Sequence, residues 1–310
     1  MPSTIMPSAS SAQAIIIEVT YPLSIVANVF LVGWVFRVKR VQKTVSYLQV
    51  CLALSDILRA IGPCVGTDIS PNACNVMAIV DQFAYTSSTS WNLMISVYCY
   101  VTIFRNQTVA DRLWLWYHMY AHILSILTTT CMFIGQAILK RGPVLGKGLT
   151  ACWITANYPE LRVYLFYVPI WIHFGIMALG IETAIAAPDS DGSLEPLSTS
   201  LNISEKTVIS TDAVKAVTAK SFLDEATRKL LVRASLIAIG FLFSFGPASV
   251  ARIMTMYGAS APNWLQAWST FGMASSSLWN VLVFFTGWYW TEMASCMSRT
   301  YIAEGSGAKK

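Results

Sequence analysis

Seven stretches of predominantly apolar residues follow one another along the chain, at 14–36, 45–65, 75–104, 118–139, 163–186, 229–256 and 267–290. Each reaches the roughly 20 residues that a helix needs to cross ~30 Å of hydrocarbon at ~1.5 Å rise per residue. The runs are continuous and do not alternate over ~10 residues, so they predict helices and not the strands of a barrel. The third and sixth exceed a simple span and are expected to tilt or protrude. The expected fold is an all-α membrane protein, a seven-transmembrane helix bundle over 14–290, preceded by a short segment 1–13 and followed by a tail 291–310. Residues 187–228, between the fifth and sixth runs, are polar and open on Ala-Pro-Asp-Ser-Asp-Gly-Ser, a composition that predicts disorder.

Composition agrees with a bilayer as the main solvent. Hydrophobic residues make up 55% of the 310 residues and charged ones 12%, with a mean hydropathy of +0.54. That balance excludes a disordered chain and argues against a soluble globular enzyme. A pI near 8.8 would suit nucleic acid in a polar chain, but here the basic residues read as topology signals. With the N-terminus outside, fourteen of the 21 Lys and Arg fall on inner segments and four on outer ones. The first inner loop, Arg-Val-Lys-Arg-Val-Gln-Lys at 37–43, carries the strongest bias. Residues 1–13 have no charge and no basic n-region, so the first span is expected to act as its own insertion signal. The expectation is a multi-pass plasma-membrane protein with its N-terminus outside and its C-terminus cytoplasmic. The sequons Asn106-Gln-Thr and Asn202-Ile-Ser then lie on inner loops, out of reach of glycosylation.

Charges inside spans are costly unless paired or hydrated, and so mark function. Glu18, Arg59, Asp81 and Arg252 fall in the outer halves of their spans and Arg162 tops the fifth. They could line one mildly basic, water-filled cavity suited to a small polar or anionic ligand. The competing reading is structural pairing, such as Asp56 with Arg59 at i, i+3. Among the aromatic residues near the outer ends, Trp153, Tyr158, Tyr164, Tyr167, Trp171 and Trp264, the choice is between cavity walls and an interfacial belt. The ligand-binding candidates are Arg59, Asp81, Trp153, Arg162, Tyr167 and Arg252. Ser-Ser-Thr-Ser-Trp-Asn at 87–92 and Ser-Ser-Ser-Leu-Trp-Asn at 275–280 permit close helix approach, so Asp56, Trp91, Asn92, Trp279 and Asn280 are read as packing or switching residues.

Cys74 and Cys152 both fall on the outer side, where a disulfide is chemically allowed. Two free thiols, or a pairing with Cys64, are the alternatives. Cys296, just past the seventh span, is open to palmitoylation or remains a free thiol. Arg40, Arg105, Arg112, Arg228, Lys229 and Arg233 surround the inner mouth, facing either anionic lipid or a cytosolic protein. His118 and His122 share a helix face, with His173 on the next span. No carboxylate stands beside them, so a membrane zinc hydrolase is disfavoured. No lysine lies well inside a span, and phosphate-binding, hydrolase-triad and zinc-cysteine motifs are absent from the sequence. No cofactor, metal, nucleic acid or catalytic activity is expected. A seven-helix transporter or channel is the main alternative, weakened by a mostly apolar mid-membrane.

Seven spans, an outside N-terminus, a third-span disulfide and a long third inner loop together resemble a G-protein-coupled receptor. The third span ends Val101-Thr-Ile-Phe-Arg105, without the Asp-Arg-Tyr of rhodopsin-like receptors, and the seventh lacks their Asn-Pro-x-x-Tyr. The stretch 151–169 resembles the cyclic-AMP-receptor-like family (class E, related to the fungal carbon-sensing receptors). It carries that family's Cys152, Trp153, Ile154, Arg162, Phe166, Tyr167 and Pro169, and Arg252 matches an Arg near the top of its sixth span. The resemblance implies coupling to a heterotrimeric G protein, with the Gα C-terminus docking among Arg105, Arg228, Lys229 and Arg233. It does not imply that cyclic AMP is the ligand here. Ser198, Thr199, Ser200 and Ser204 become candidate phosphosites for desensitisation, and the sequence leaves homodimerisation open.

Overall fold

The computed structural model describes residues 11–39, 43–148, 151–186 and 211–307, with side chains for 12–39, 43–148, 151–184 and 229–287. Its long helices are α1 (Ser11–Arg37), α2 (Thr44–Val65), α3 (Pro71–Phe104), α5 (Trp114–Leu139), α7 (Val168–Ala186), α8 (Thr211–Met256) and α9 (Asn263–Gly307). Two short helices, α4 (Gln107–Arg112) and α6 (Pro159–Arg162), and a hairpin of β1 (Leu145–Lys147) and β2 (Cys152–Ile154) complete the order. A π-helical turn, Val163–Tyr167, joins α6 to α7, so these form one continuous fifth span.

The burial pattern is that of a protein dissolved in lipid. Along α1, Ile15, Val19, Leu23, Val26, Val29 and Phe30 are exposed, whereas Thr20, Ser24 and Asn28 are buried. In water such an apolar surface would drive association; in hydrocarbon it is the solvated face, and the polar groups must turn inward to find partners. Ser24 Oγ does so, donating to Thr20 O of its own helix at 2.8 Å and lying 3.0 Å from Ala274 O of α9. Five segments are long and apolar enough to cross a membrane by length and composition: Ala12–Arg37, Thr44–Val65, Trp114–Leu139, Pro159–Ala184 and Lys229–Met256. α3 and α9 are long enough but more polar. Their Ser, Thr and Asn residues face the interior, as at Thr86, Ser87, Ser88, Thr89, Ser90, Asn92, Ser276, Ser277 and Asn280.

α3 is the central post. It packs against α2, α5, α7, α8 and both hairpin strands. α8 and α9 lie against each other along much of their length, and α1 covers α2 and α9. Gly240 of α8 sits directly on the indole of Trp279, whose Nε1 donates to Leu236 O at 2.8 Å. A Cβ at Gly240 would occupy the same space as the indole ring. Gly240→Ala is therefore expected to destabilise the bundle by about 1–3 kcal/mol through overpacking, read as a lower thermal unfolding midpoint. Combining it with Trp279→Leu should recover part of that loss.

Two sequence expectations change. Residues 211–228, expected to form the disordered end of the third inner loop, are helical, because α8 begins at Thr211. The run holds four Ala and two Lys, which are strong helix formers, with no Gly or Pro to interrupt it, and it is continuous with the apolar span. Likewise the helix begun in the seventh span runs on to Gly307, so 291–307 prolong α9. Residues 187–210, including the candidate phosphosites, lie outside the described residues.

Candidate ligand cavity and buried polar core

One end of the bundle is capped by the hairpin. β1 and β2 pair antiparallel, with Leu145 opposite Ile154 and Lys147 opposite Cys152. Cys152 is bonded to Cys74, near the start of α3, across a Cα–Cα distance of 5.3 Å. Cys64, the rival partner by sequence, is a free, exposed thiol. Tyr158 is fully buried beneath the hairpin, donating to Gly142 O at 2.6 Å and accepting from Arg141 N at 3.0 Å. It is a support for the cap and not a wall of the cavity. Val144 N donates to Gln136 Oε1 at 2.7 Å, which fixes the hairpin to α5.

Beneath the hairpin lies a cavity of about 440 Å³. Asp81, Trp153, Arg162, Tyr167 and Arg252, five of the six sequence candidates, line it, together with Tyr85, Phe166, Gln266 and Thr270. The Trp153 indole donates to Gln82 Oε1 at 2.8 Å, and Gln82 Nε2 donates to Leu165 O at 3.2 Å. Gln82 thereby locks the hairpin, α3 and the π turn into one wall. The π turn inserts an extra residue into the helix and leaves Phe166 and Tyr167 both buried, in edge-to-face contact with ring centroids 5.0 Å apart. Phe166 also meets Trp153 at 5.2 Å and Tyr85 at 5.4 Å, both edge-on. Arg162 donates from Nε to Ile154 O at 2.9 Å and holds its guanidinium over the Trp153 ring at 5.6 Å.

Charge in the cavity is polarised. Arg162 and Arg252 repel one another electrostatically. Asp81 is 1% exposed, and its Oδ1 accepts no hydrogen bond among the described residues. The Arg252 Nε is likewise buried and without a partner among them. Glu18, grouped with these residues from the sequence, is instead on an exposed face of α1. Trp264 and Tyr164 are exposed and Trp171 donates to Ser249 Oγ at 3.0 Å, so none of the three lines the cavity.

Arg59 departs from the expected cavity lining. It is fully buried below the floor, with its guanidinium 5.2 Å from the Tyr85 ring centroid. It donates to Met273 O at 2.9 Å, Ser276 Oγ at 2.5 Å and Ser277 Oγ at 2.6 Å, and lies 3.4 Å from Asp56 Oδ1. Asp56 accepts from Ser88 Oγ at 2.6 Å and from Asn280 Nδ2 at 2.9 Å. The chain of contacts continues: Gln49 Nε2 donates to Asn280 O at 3.2 Å, and Arg233 Nη2 of α8 donates to Gln49 Oε1 at 3.2 Å. Two fully buried opposite charges are tolerable in a bilayer only with partners of this number, although Arg59 Nε and Arg233 Nε find none among the described residues. The result is a polar core joining α2, α3, α9 and α8, from beneath the cavity toward the opposite end. Trp91 and Asn92 stay on α3, the first fully buried against His118 at 4.8 Å between ring centroids, the second donating to Ser88 O at 3.1 Å.

At that opposite end Arg105 and Arg112 are exposed and Lys229 is half-buried. Arg233, expected beside them, is turned into the bundle toward Gln49. Arg40 lies outside the described residues, as does the side chain of Arg228. His173 pairs with the Tyr120 hydroxyl at 2.9 Å, while the His118 ring meets Trp114 at 3.9 Å between centroids. Among the described residues no group of three or more His, Cys, Asp or Glu is placed to hold a metal ion. Ser276 and Ser277 belong to the stretch 275–280 expected to pack helices, but their bonds to Arg59, and the roles of Gln49 and Gln82, are not evident from the sequence. The signal was present, since a polar amide inside an apolar run must find a partner, but the partner's identity depends on helix rotation.

Residues 24–186 match the family described as slime mold cyclic AMP receptor. No curated protein matches the sequence. Among solved structures, the crystal structure of squid rhodopsin superposes with a TM-score of 0.61 over 90% of this chain and 79% of that one, at 15% identity. At that identity the likeness is one of fold.

Proposed function

Because the chain belongs to the slime mold cyclic AMP receptor family, a family of seven-helix receptors, we propose that it senses an extracellular ligand at the plasma membrane and activates a heterotrimeric G protein. The N-terminus and the hairpin then face outside and the C-terminus the cytoplasm. The observation that carries the reading is the coupling of a polarised cavity to a buried polar core. Asp81, Arg162 and Arg252 offer charges to a ligand at one end. Tyr85 lines the cavity and also covers Arg59, whose hydrogen bonds hold α2 to α9. A ligand shifts a conformational equilibrium only through contacts that differ between the two states. One that moves Tyr85 changes the packing over Arg59, and with it the Asp56–Asn280–Gln49–Arg233 chain that reaches α8.

The inner ends of α7 and α8 then part and admit the Gα C-terminus beside Arg105, Arg228 and Lys229. Carboxylate-bearing Gα segments suit that basic rim electrostatically. The fold and family point to a receptor and not to an enzyme. The family's printed ligand, cyclic AMP, carries an anionic phosphate that Arg162 and Arg252 could meet, and related small anions would fit the same pole. The test is binding of synthetic Gα C-terminal peptides to the protein in nanodiscs. At least one peptide should bind, and Arg228→Glu/Lys229→Glu should weaken it about tenfold or more. No binding by any Gα peptide, or equal binding to the variant, would overturn this mode of coupling.

A further inference from the structure

The cavity carries two opposite electrostatic poles, and each has a buried polar atom without a hydrogen-bond partner among the described residues. On the α3 side stands Asp81, 1% exposed, with Oδ1 accepting no hydrogen bond. Its carboxylate is pressed against Gly62 of α2, where any Cβ would collide with it. Arg59 attracts Asp81 electrostatically, but its hydrogen bonds go to Met273, Ser276 and Ser277, and its ion pair is with Asp56. On the α8 side stands Arg252, its Nε unpartnered, with Arg162 as a like-charged neighbour and, among the described residues, no acid paired with either guanidinium. A buried carboxylate whose Oδ1 has no donor, and a half-buried guanidinium whose inner Nε has no acceptor among the described residues, are each costly. An anionic ligand would relieve the second and leave the first.

We propose that the cavity recognises a zwitterion: an amine or amidine cation held by Asp81 and an anionic group, carboxylate or phosphate, held by Arg252 and flanked by Arg162. The aromatic residues Tyr85, Phe166 and Trp153 lie with both poles around one cavity of about 440 Å³, which suits a small molecule with a short apolar or planar spacer. This deepens the receptor reading and rests on it for the site's purpose, but the binding chemistry is testable without any G protein. Selectivity follows from the unpaired poles. A site built to satisfy a charge rejects the analogue that lacks the partner, because the buried group then stays unsatisfied.

The experiment measures thermal stabilisation and saturation-transfer NMR on the full chain in nanodiscs. The probes are β-alanine, γ-aminobutyrate, ε-aminocaproate and phosphoethanolamine, each against its amine-only and anion-only match. At least one zwitterion should bind ten times or more tighter than both of its matches. Asp81→Asn should remove the advantage over the anion-only match while leaving that match's binding intact. Arg252→Gln should remove the advantage over the amine-only match. Gly62→Ala, which keeps the charge but displaces the carboxylate, should act like Asp81→Asn in a folded protein, monodisperse by gel filtration. Anion-only probes binding as well as zwitterions, no probe binding at millimolar concentration, or Asp81→Asn leaving the preference unchanged would each overturn the proposal. Nucleotide exchange without zwitterion preference would sink this inference alone. Zwitterion preference without Gα peptide binding would sink the receptor reading alone.

Discussion

Arg59→Met should be the most damaging single substitution in the bundle. The side chain is fully buried and joins α2 to three groups of α9 while lying 3.4 Å from Asp56. Methionine fills much of the volume but leaves the Asp56 carboxylate without its countercharge, and Ser276 and Ser277 without their donor. Removing one member of a buried ion pair costs about 3–5 kcal/mol, mostly the penalty of stranding the other charge. The expected drop in unfolding midpoint is on the order of 10 °C. The cause can be isolated. Asp56→Asn added to Arg59→Met removes the stranded charge yet keeps an acceptor for Ser88, so the double variant should regain most of the lost stability. A single variant that melts with the wild type, or a double variant no better than the single, would show that the pair is solvated and that no closed polar core exists.

Cys74→Ser should be nearly as severe, and should act chiefly on the cavity. The bond closes a loop of sequence separation 78, for which chain-entropy arguments give about 4–5 kcal/mol. Helices that stay inserted in lipid already restrict the unfolded chain, so about 2–4 kcal/mol is expected. The hairpin carries Trp153 and the Ile154 carbonyl that holds Arg162. With the covalent tie to α3 gone and the Trp153–Gln82 hydrogen bond left to hold it, the hairpin should let both loosen from the cavity wall. Cys152→Ser should match Cys74→Ser, and the double variant should be no worse than either alone. Cys64→Ser should have no effect on the unfolding midpoint, because Cys64 is exposed and unbonded. Equal losses at Cys64 and Cys74 would contradict this arrangement.

Much of this architecture was legible in the chain because lipid imposes simple rules. A helix in hydrocarbon must be long and continuous, so the approximate ends of α2 and α5 follow from the apolar runs alone. The same rule hid the ends of α8 and α9. Past the membrane surface, helix formation is decided by propensity, and the polar residues of 211–228 were read as loop. Charged positions identified the cavity region because ionisable groups near a bilayer must serve a purpose. The rotation of each helix was not legible. Arg59 and Asp81 lie on adjacent helices, yet one is bonded beneath the floor and the other lines the cavity without a hydrogen-bond donor at Oδ1 among the described residues. That difference depends on Gly62, whose missing side chain admits the Asp81 carboxylate. Similarly, Arg233 turns toward Gln49 and not to the basic rim because its helix face is set by packing on α9.

Guanine-nucleotide exchange on purified heterotrimers is the direct readout of the proposed coupling between this bundle and a G protein. The full chain in nanodiscs is mixed with each class of heterotrimer, and nucleotide release is followed with and without Arg228→Glu/Lys229→Glu. Release above background is expected with at least one class, lost in the charge-reversed variant while its unfolding midpoint is unchanged. Release at background with every class, from a protein that still binds cavity probes, would contradict that coupling.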